Sequence, residues 1–222
     1  KPTLMVDRLQ VKRGSLVAFD EVFHSGVNVL FGHNGSGKTS VIQLLMYGLG
    51  YEVPNWKDEA GLCDNIYVGL TINGSPLTIR RKNSGTDKQS MDFCFADMDK
   101  ALCSPLTDWF NYPYAIGSKP SFSQKVFEIL DIPEAKADSN SNVTLHQIYR
   151  LIYADQSNSA SAIFNNEPFD SAFKRESVGK YLLGLYDNEL YEAKIKLIEE
   201  DKKLQKIIAK LQAIHSVLGK TS

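Results

Sequence analysis

Val27-Asn28-Val29-Leu30-Phe31-Gly32-His33-Asn34-Gly35-Ser36-Gly37-Lys38-Thr39-Ser40 decides how the rest of the chain is read. Val27 to Phe31 is apolar but for Asn28 and reads as a buried strand. Gly32 to Thr39 spell G-x-x-x-x-G-K-[ST], and Val41, Ile42, Leu44 and Leu45 place a helix over Thr39 to Gly48. Strand, glycine-rich loop and helix in that order make a phosphate cradle, the P-loop pattern. The backbone approaches a polyphosphate closely only where side chains are absent, which Gly32, Gly35 and Gly37 provide. The N–H groups at the helix start then face the anion, with the positive end of the helix dipole behind them. In such a loop the Lys38 ammonium reaches the β- and γ-phosphates and the Thr39 hydroxyl takes magnesium, so ATP and Mg2+ are the expected ligands. Asn34, Ser36 and Ser40 complete the cradle.

The bulk composition narrows the class. With 222 residues and 43% hydrophobic content, the chain can bury a core as one large domain or as a domain with an appendage. A formal net charge of −1 and a pI near 6.5 give no global attraction to nucleic acid or membrane, so any DNA contact needs a local patch. Cys63, Cys94 and Cys103 are odd in number and lack metal spacing, which reads as three buried thiols in a reducing compartment. With no signal peptide and no apolar run of membrane length, the expected location is cytoplasmic. The chain opens at Lys1 and stops inside a helical pattern, so it reads as part of something longer.

Outward from the cradle, Thr3 to Lys12 and Leu16 to Phe23 alternate as two antiparallel strands joined at Gly14-Ser15. Beyond a loop over Gly50 to Gly61, strands are expected at Asn65 to Asn73, Pro76 to Lys82 and Ser90 to Ala96, with Asn73-Gly74 as a hairpin turn. The stretch from Ser104 to Asn142, interrupted by Pro105, Pro113, Pro120 and Pro133, reads as an irregular insertion holding one short helix at Phe122 to Leu130. Leu145 to Arg150 reads as helix, Leu151 to Ala154 as extended, and Pro168 to Leu185 as a helix broken near Gly184. From Asp187 the pattern changes: Leu190, Leu197, Leu204, Leu211 and Leu218 keep heptad spacing, with Ala193, Ile207 and Ile214 three residues after members of that series. That is the signature of a coiled-coil strand. The expected division is therefore a head over residues 1–186 and the start of a coiled-coil arm over 187–222.

A P-loop spelled Gly-x-Asn-Gly-Ser-Gly-Lys-Thr, preceded by two strands and followed by a coiled coil, resembles the SMC superfamily and the related double-strand-break-repair ATPases. These are ABC-type heads split by a coiled-coil hairpin. The resemblance implies an α/β P-loop NTPase fold, an N-terminal head lobe with a mixed sheet around the P-loop helix. It likens Arg13, at the end of the first strand, to the arginine beside the nucleotide phosphates. Gln156, in Ile152-Tyr153-Ala154-Asp155-Gln156, resembles the Q-loop glutamine that touches magnesium and the attacking water. Lys38 and Gln156 are then the catalytic residues, and Thr39 and Gln156 the magnesium ligands. Arg175-Glu176 through Tyr181-Leu182-Leu183-Gly184-Leu185 and Glu189 is similar to the segment leading from head to coil. The residues alone leave Gln156 readable as a plain loop amide and Arg13 as a surface arginine at a turn. Arg80-Arg81-Lys82 is the candidate DNA-backbone patch, with a solvated strand edge as the alternative.

Two further motifs of such an ATPase, an apolar strand ending Asp-Glu and a Ser-Gly-Gly signature, are not recognised; in a split head both follow the returning coil. The implied partners are a C-terminal head lobe, a second copy that sandwiches ATP between heads, DNA, and an accessory subunit such as a nuclease, with no membrane. The unfamiliar insertion leans the reading to a repair-type or bacterial defence-type member, such as the Lamassu type. The competing classes are a transporter's nucleotide-binding subunit and a self-contained P-loop NTPase or kinase, neither of which accounts for the leucine heptads.

Overall fold

Along Asn65–Ile72 (β3) the apolar residues Ile66, Val68, Leu70 and Ile72 alternate with Tyr67, Gly69 and Thr71, so one face of the strand buries almost completely. The same alternation puts Leu9 and Val11 of β1 (Leu4–Arg13), Leu77 and Ile79 of β4 (Ser75–Lys82), and Met91 and Phe93 of β5 (Met91–Cys94) on that face. With β2 (Leu16–Val22) and β6 (Phe110–Tyr112) they form a six-stranded antiparallel sheet in the order β2-β1-β3-β4-β5-β6. In this computed structural model the described residues are 2–218 apart from 54–55, 57, 86–87, 116, 118, 138–140 and 155–170.

Helix α1 (Lys38–Gly48) lies on the buried face. A Cβ at Gly48 would come within 2.6 Å of Val68 and 2.9 Å of Ile66, so the helix backbone rests directly on β3. It ends at Gly50 (φ 110°), where the Tyr51 N–H returns to the Met46 carbonyl at 2.9 Å in a Schellman closure. A short α2 (Asp58–Gly61) follows, and α3 (Met98–Cys103) packs its Met98 over Gly69 on the opposite face.

Across that opposite face a polar row crosses all six strands in register: Asp20, Gln10, Tyr67, Arg80, Asp92 and Asn111. Its left end is tied by Arg8, whose Nε and Nη2 donate to Asp20 at 2.6 and 2.8 Å, and by Gln10 Nε2 at 2.7 Å. Chiefly through the Arg8 hydrogen bonds, the Asp20 carboxyl is held below its ordinary range. A depressed carboxylate stabilises the fold above the ordinary carboxylate range, and that contribution fades as pH falls through the depressed value. Asp20→Asn should therefore cost about 1–2 kcal/mol near neutral pH. Urea denaturation of both proteins checks this, and the gap should close in acid.

The turns at Gly14-Ser15 and Asn73-Gly74 lie where the sequence places them, the latter with φ of 49° and 82° at its central residues. The stretch from Ser104 to Asn142 holds its expected helix as α4 (Phe122–Ile129), whose Phe122, Val126 and Phe127 are core residues, and adds what was not expected, a 3-10 turn at Leu106–Asp108 and the strand β6. The helix at Leu145 also runs further than expected, to Ile152 (α5). Of the three thiols, Cys63 and Cys94 are buried, with desolvation pushing them up, but Cys103 is exposed.

The chain divides into two units, residues 1–134 with 144–165, and residues 135–143 with 166–222. In the second, α6 (Ala172–Leu182) closes at Gly184, where the Leu185 N–H reaches the Lys180 carbonyl at 2.8 Å. Glu176 accepts from Lys180 at 2.6 Å and from Lys194 at 3.0 Å, tying α6 to the 31-residue α7 (Asn188–Leu218). Leu190, Leu197, Leu204, Leu211, Ile207 and Ile214 of α7 are all exposed, and with Ala193 they make the expected stripe; Leu218 is not described at the side-chain level.

Candidate functional site

Glycine caps α1, and no side chain does. Gly37 takes φ 82° as N-cap without a side-chain hydrogen bond, and the first turn holds no acid. By contrast Asp97, Ser121, Thr144 and Ser171 cap α3, α4, α5 and α6 with their own oxygens. The amides at the start of α1 thus keep their donors for an anion. Over the loop, Lys38 Nζ donates to the Gly32 carbonyl at 2.9 Å, the His33 carbonyl at 2.8 Å and Ser36 Oγ at 3.4 Å. The ammonium therefore closes the ring from Gly32 to Lys38. A Cβ at Gly32 would lie 2.7 Å from Ser36 Oγ, so a side chain there would push into the loop.

These residues fit ATP with magnesium. Backbone donors, one lysine and the half-buried Thr39 at the second helical position supply what a triphosphate and a hard cation require. Among the described residues no group of three or more His, Cys, Asp or Glu could hold a metal alone. Asn34, Gly35 and Ser36 are exposed on the same loop, and Ser40 is buried.

Other expected residues fall elsewhere. Arg13 is exposed at the end of β1, opposite Leu16. Gln156 lies outside the described residues. The expected strand over Val27 to Phe31 does not form: no pairing is present there, and Val27 and Phe31 are 82% and 92% exposed. A strand needs a hydrogen-bonded neighbour, and no described segment supplies one.

The basic run Arg80-Arg81-Lys82 is not a surface patch. Arg81 sits on the buried face at 0% exposure and Arg80 is committed to Asp92, with its Nε at 3.0 Å and Nη2 at 2.8 Å from Oδ2, and lies over Trp109 at 4.9 Å. Only Lys82 is exposed. Strand alternation is the reason, since Leu77, Ile79 and Arg81 share a face. An Asp-Glu pair after an apolar run does exist: Leu16 to Phe19 lead into Asp20-Glu21. It lies on the edge strand β2, with Asp20 held by Arg8 and Gln10, which is a structural role.

A family profile described as AAA domain matches residues 17–219. The chain belongs to the AAA-domain family. That makes it an ATPase-type protein with an α/β fold, and ATP with Mg2+ the family's ordinary ligands. A search of curated proteins found no match. The AAA-domain match takes in the cradle, nearly all of β2, the strands β3 to β6 and the whole of α7, while β1 precedes it. Among the described residues no helix is long and apolar enough to cross a membrane.

Proposed function

We propose that the chain is the N-terminal half of an SMC-like ATPase head, binding ATP-Mg in the loop from Gly32 to Thr39 and working with a C-terminal lobe and a second head to engage or process DNA. The reading rests above all on the latch of Lys38 across the Gly32 and His33 carbonyls, at the uncapped start of α1. Val27, Val29, Leu30 and Phe31 support the lobe: a run of large apolar residues left open to water beside the cradle favours strands brought by another segment. In this reading Arg13 attends the phosphates, Gln156 places water and magnesium, and the heads' closing and parting drive the coils. DNA, an accessory nuclease-type subunit and a role in repair, chromosome maintenance or defence come from the family resemblance. The buried Arg81 and the paired Arg80 take no part in holding DNA.

The arm has its own test. If the stripe of Leu197, Leu204 and Leu211 packs against a returning helix or a second copy, then changing all three to Ser should abolish self-association while the thermal midpoint of the sheet-bearing unit stays within a few degrees. Sedimentation and calorimetry measure the two. Unchanged sedimentation with a large drop in the midpoint would place the stripe in a folded core instead. ATP titration of the parent chain, with and without Lys38, tests the site.

A further inference from the structure

A buried cation holds the far end of the helix that carries the cradle. Arg81 Nη1 donates to the Tyr47 carbonyl at 2.8 Å and the Tyr51 carbonyl at 3.1 Å, at the C-terminal end of α1. Its guanidinium lies over the Tyr47 ring at 4.1 Å and the Phe122 ring at 5.3 Å. The Tyr47 hydroxyl in turn donates to the Lys82 carbonyl at 2.7 Å, so Tyr47 is held to β4 at both its ends. Burying a guanidinium completely on a sheet face is costly, and a methionine would fill such a space without that cost. The charge has a particular setting here. The last carbonyls of a helix carry the negative end of its dipole, and a cation there offsets it. The same helix, about 16 Å long, presents its positive end to the anion site at Gly37 and Lys38.

We infer that Arg81 is a positioning residue for nucleotide binding: by fixing the C-terminal end of α1 to β4, it holds the loop amides at the other end in the geometry that accepts phosphate. This rests on the phosphate-cradle reading. It is separable from plain stability, because other residues of the same buried face, such as Phe93 against Tyr112 of β6, do not touch α1's terminal carbonyls.

The test compares ATP affinity by calorimetry with the thermal midpoint in the parent chain, Arg81→Gln, Arg81→Lys, Phe93→Leu and Lys38→Ala. Arg81→Gln should weaken ATP on the order of tenfold, a usual size for coupling between linked sites. Arg81→Lys, which restores the charge, should recover most of that loss. Phe93→Leu should lower the midpoint without a matching change in affinity. Equal affinity in Arg81→Gln and the parent, or affinity that follows the midpoint in every variant, would overturn the inference. Should Arg81→Gln fail to fold, hydrogen exchange on the parent decides it: adding ATP-Mg should slow the amides of residues 47–52 as well as those of the loop. Slowing confined to the loop would refute it. If the parent binds no ATP, or Lys38→Ala binds it equally, the cradle reading itself fails and this inference falls with it.

Discussion

Lys38→Ala is expected to weaken ATP binding about a hundredfold or more while leaving the fold in place. The lysine acts twice. Its ammonium supplies the one side-chain cation of the loop, and a charge-assisted hydrogen bond of this kind contributes about 1.5–3 kcal/mol, where each 1.4 kcal/mol is tenfold in affinity. It also bonds the Gly32 and His33 carbonyls at 2.9 and 2.8 Å, so its removal unlatches the loop before any ligand arrives. Neither effect draws on the core, because the lysine's hydrogen bonds are at the surface, whereas the buried face is built by Leu9, Ile66, Val68, Ile79 and Phe93. Calorimetric titration and a thermal melt of both proteins read the two consequences apart. Equal affinity would falsify the phosphate-cradle reading, and a collapsed melt would mean that the loop is structural.

The glycine loop leading into α1 was legible because its form is local: glycine at set spacings, a lysine and a hydroxyl at a helix start are all within a few residues of one another. Likewise the strands β1 to β4 follow from alternation and from turns such as Asn73-Gly74, which carry their own backbone preferences. What the sequence leaves open depends on distant partners. Val27 to Phe31 has the composition of a strand, yet its pairing depends on a neighbour that the described residues do not provide. Arg80 and Arg81 read alike in sequence, but one turns to Asp92 and Trp109, the other into the core beneath Tyr47 and Phe122. The alternation of Leu77, Ile79 and Arg81 was the signal that could have found the buried one. The three-residue β6 and six-residue α3 are too short for periodicity to register; β6 exists because β5 offers it an edge, and α3 because Asp97 caps it. Pro105 and Pro113 flank β6 and disguise it as loop.

Turnover separates the proposed split head from a self-sufficient enzyme more sharply than binding does. In the proposed reading the loop from Gly32 to Thr39 would account for ground-state binding, with Lys38 reaching the phosphates and Thr39 the metal. Hydrolysis asks for more: a carboxylate that polarises water, and donors fixed on the transferring phosphoryl group in a dry site. The Asp20-Glu21 pair on β2 is a poor source of that carboxylate, since Asp20 is held by Arg8 at 2.6 Å and Gln10 at 2.7 Å. Contacts of this sort are each worth a factor of about 100–1,000 in rate, so in the split-head proposal, where the other lobe and the second head bring both, residues 1–222 alone should turn over ATP near the background. Adding the proposed C-terminal lobe, fused or in trans, should raise the rate by on the order of 10,000-fold. The rise should grow with protein concentration if two heads must meet, and the exposed Val27, Val29 and Phe31 should be covered in the process. Steady-state phosphate release across a concentration series, with Val29→Asp as the variant that blocks the joining of lobes, measures this. Rapid hydrolysis by the 222 residues alone, lost in Lys38→Ala, would overturn the split-head proposal and leave a complete P-loop enzyme with its carboxylate elsewhere in the chain.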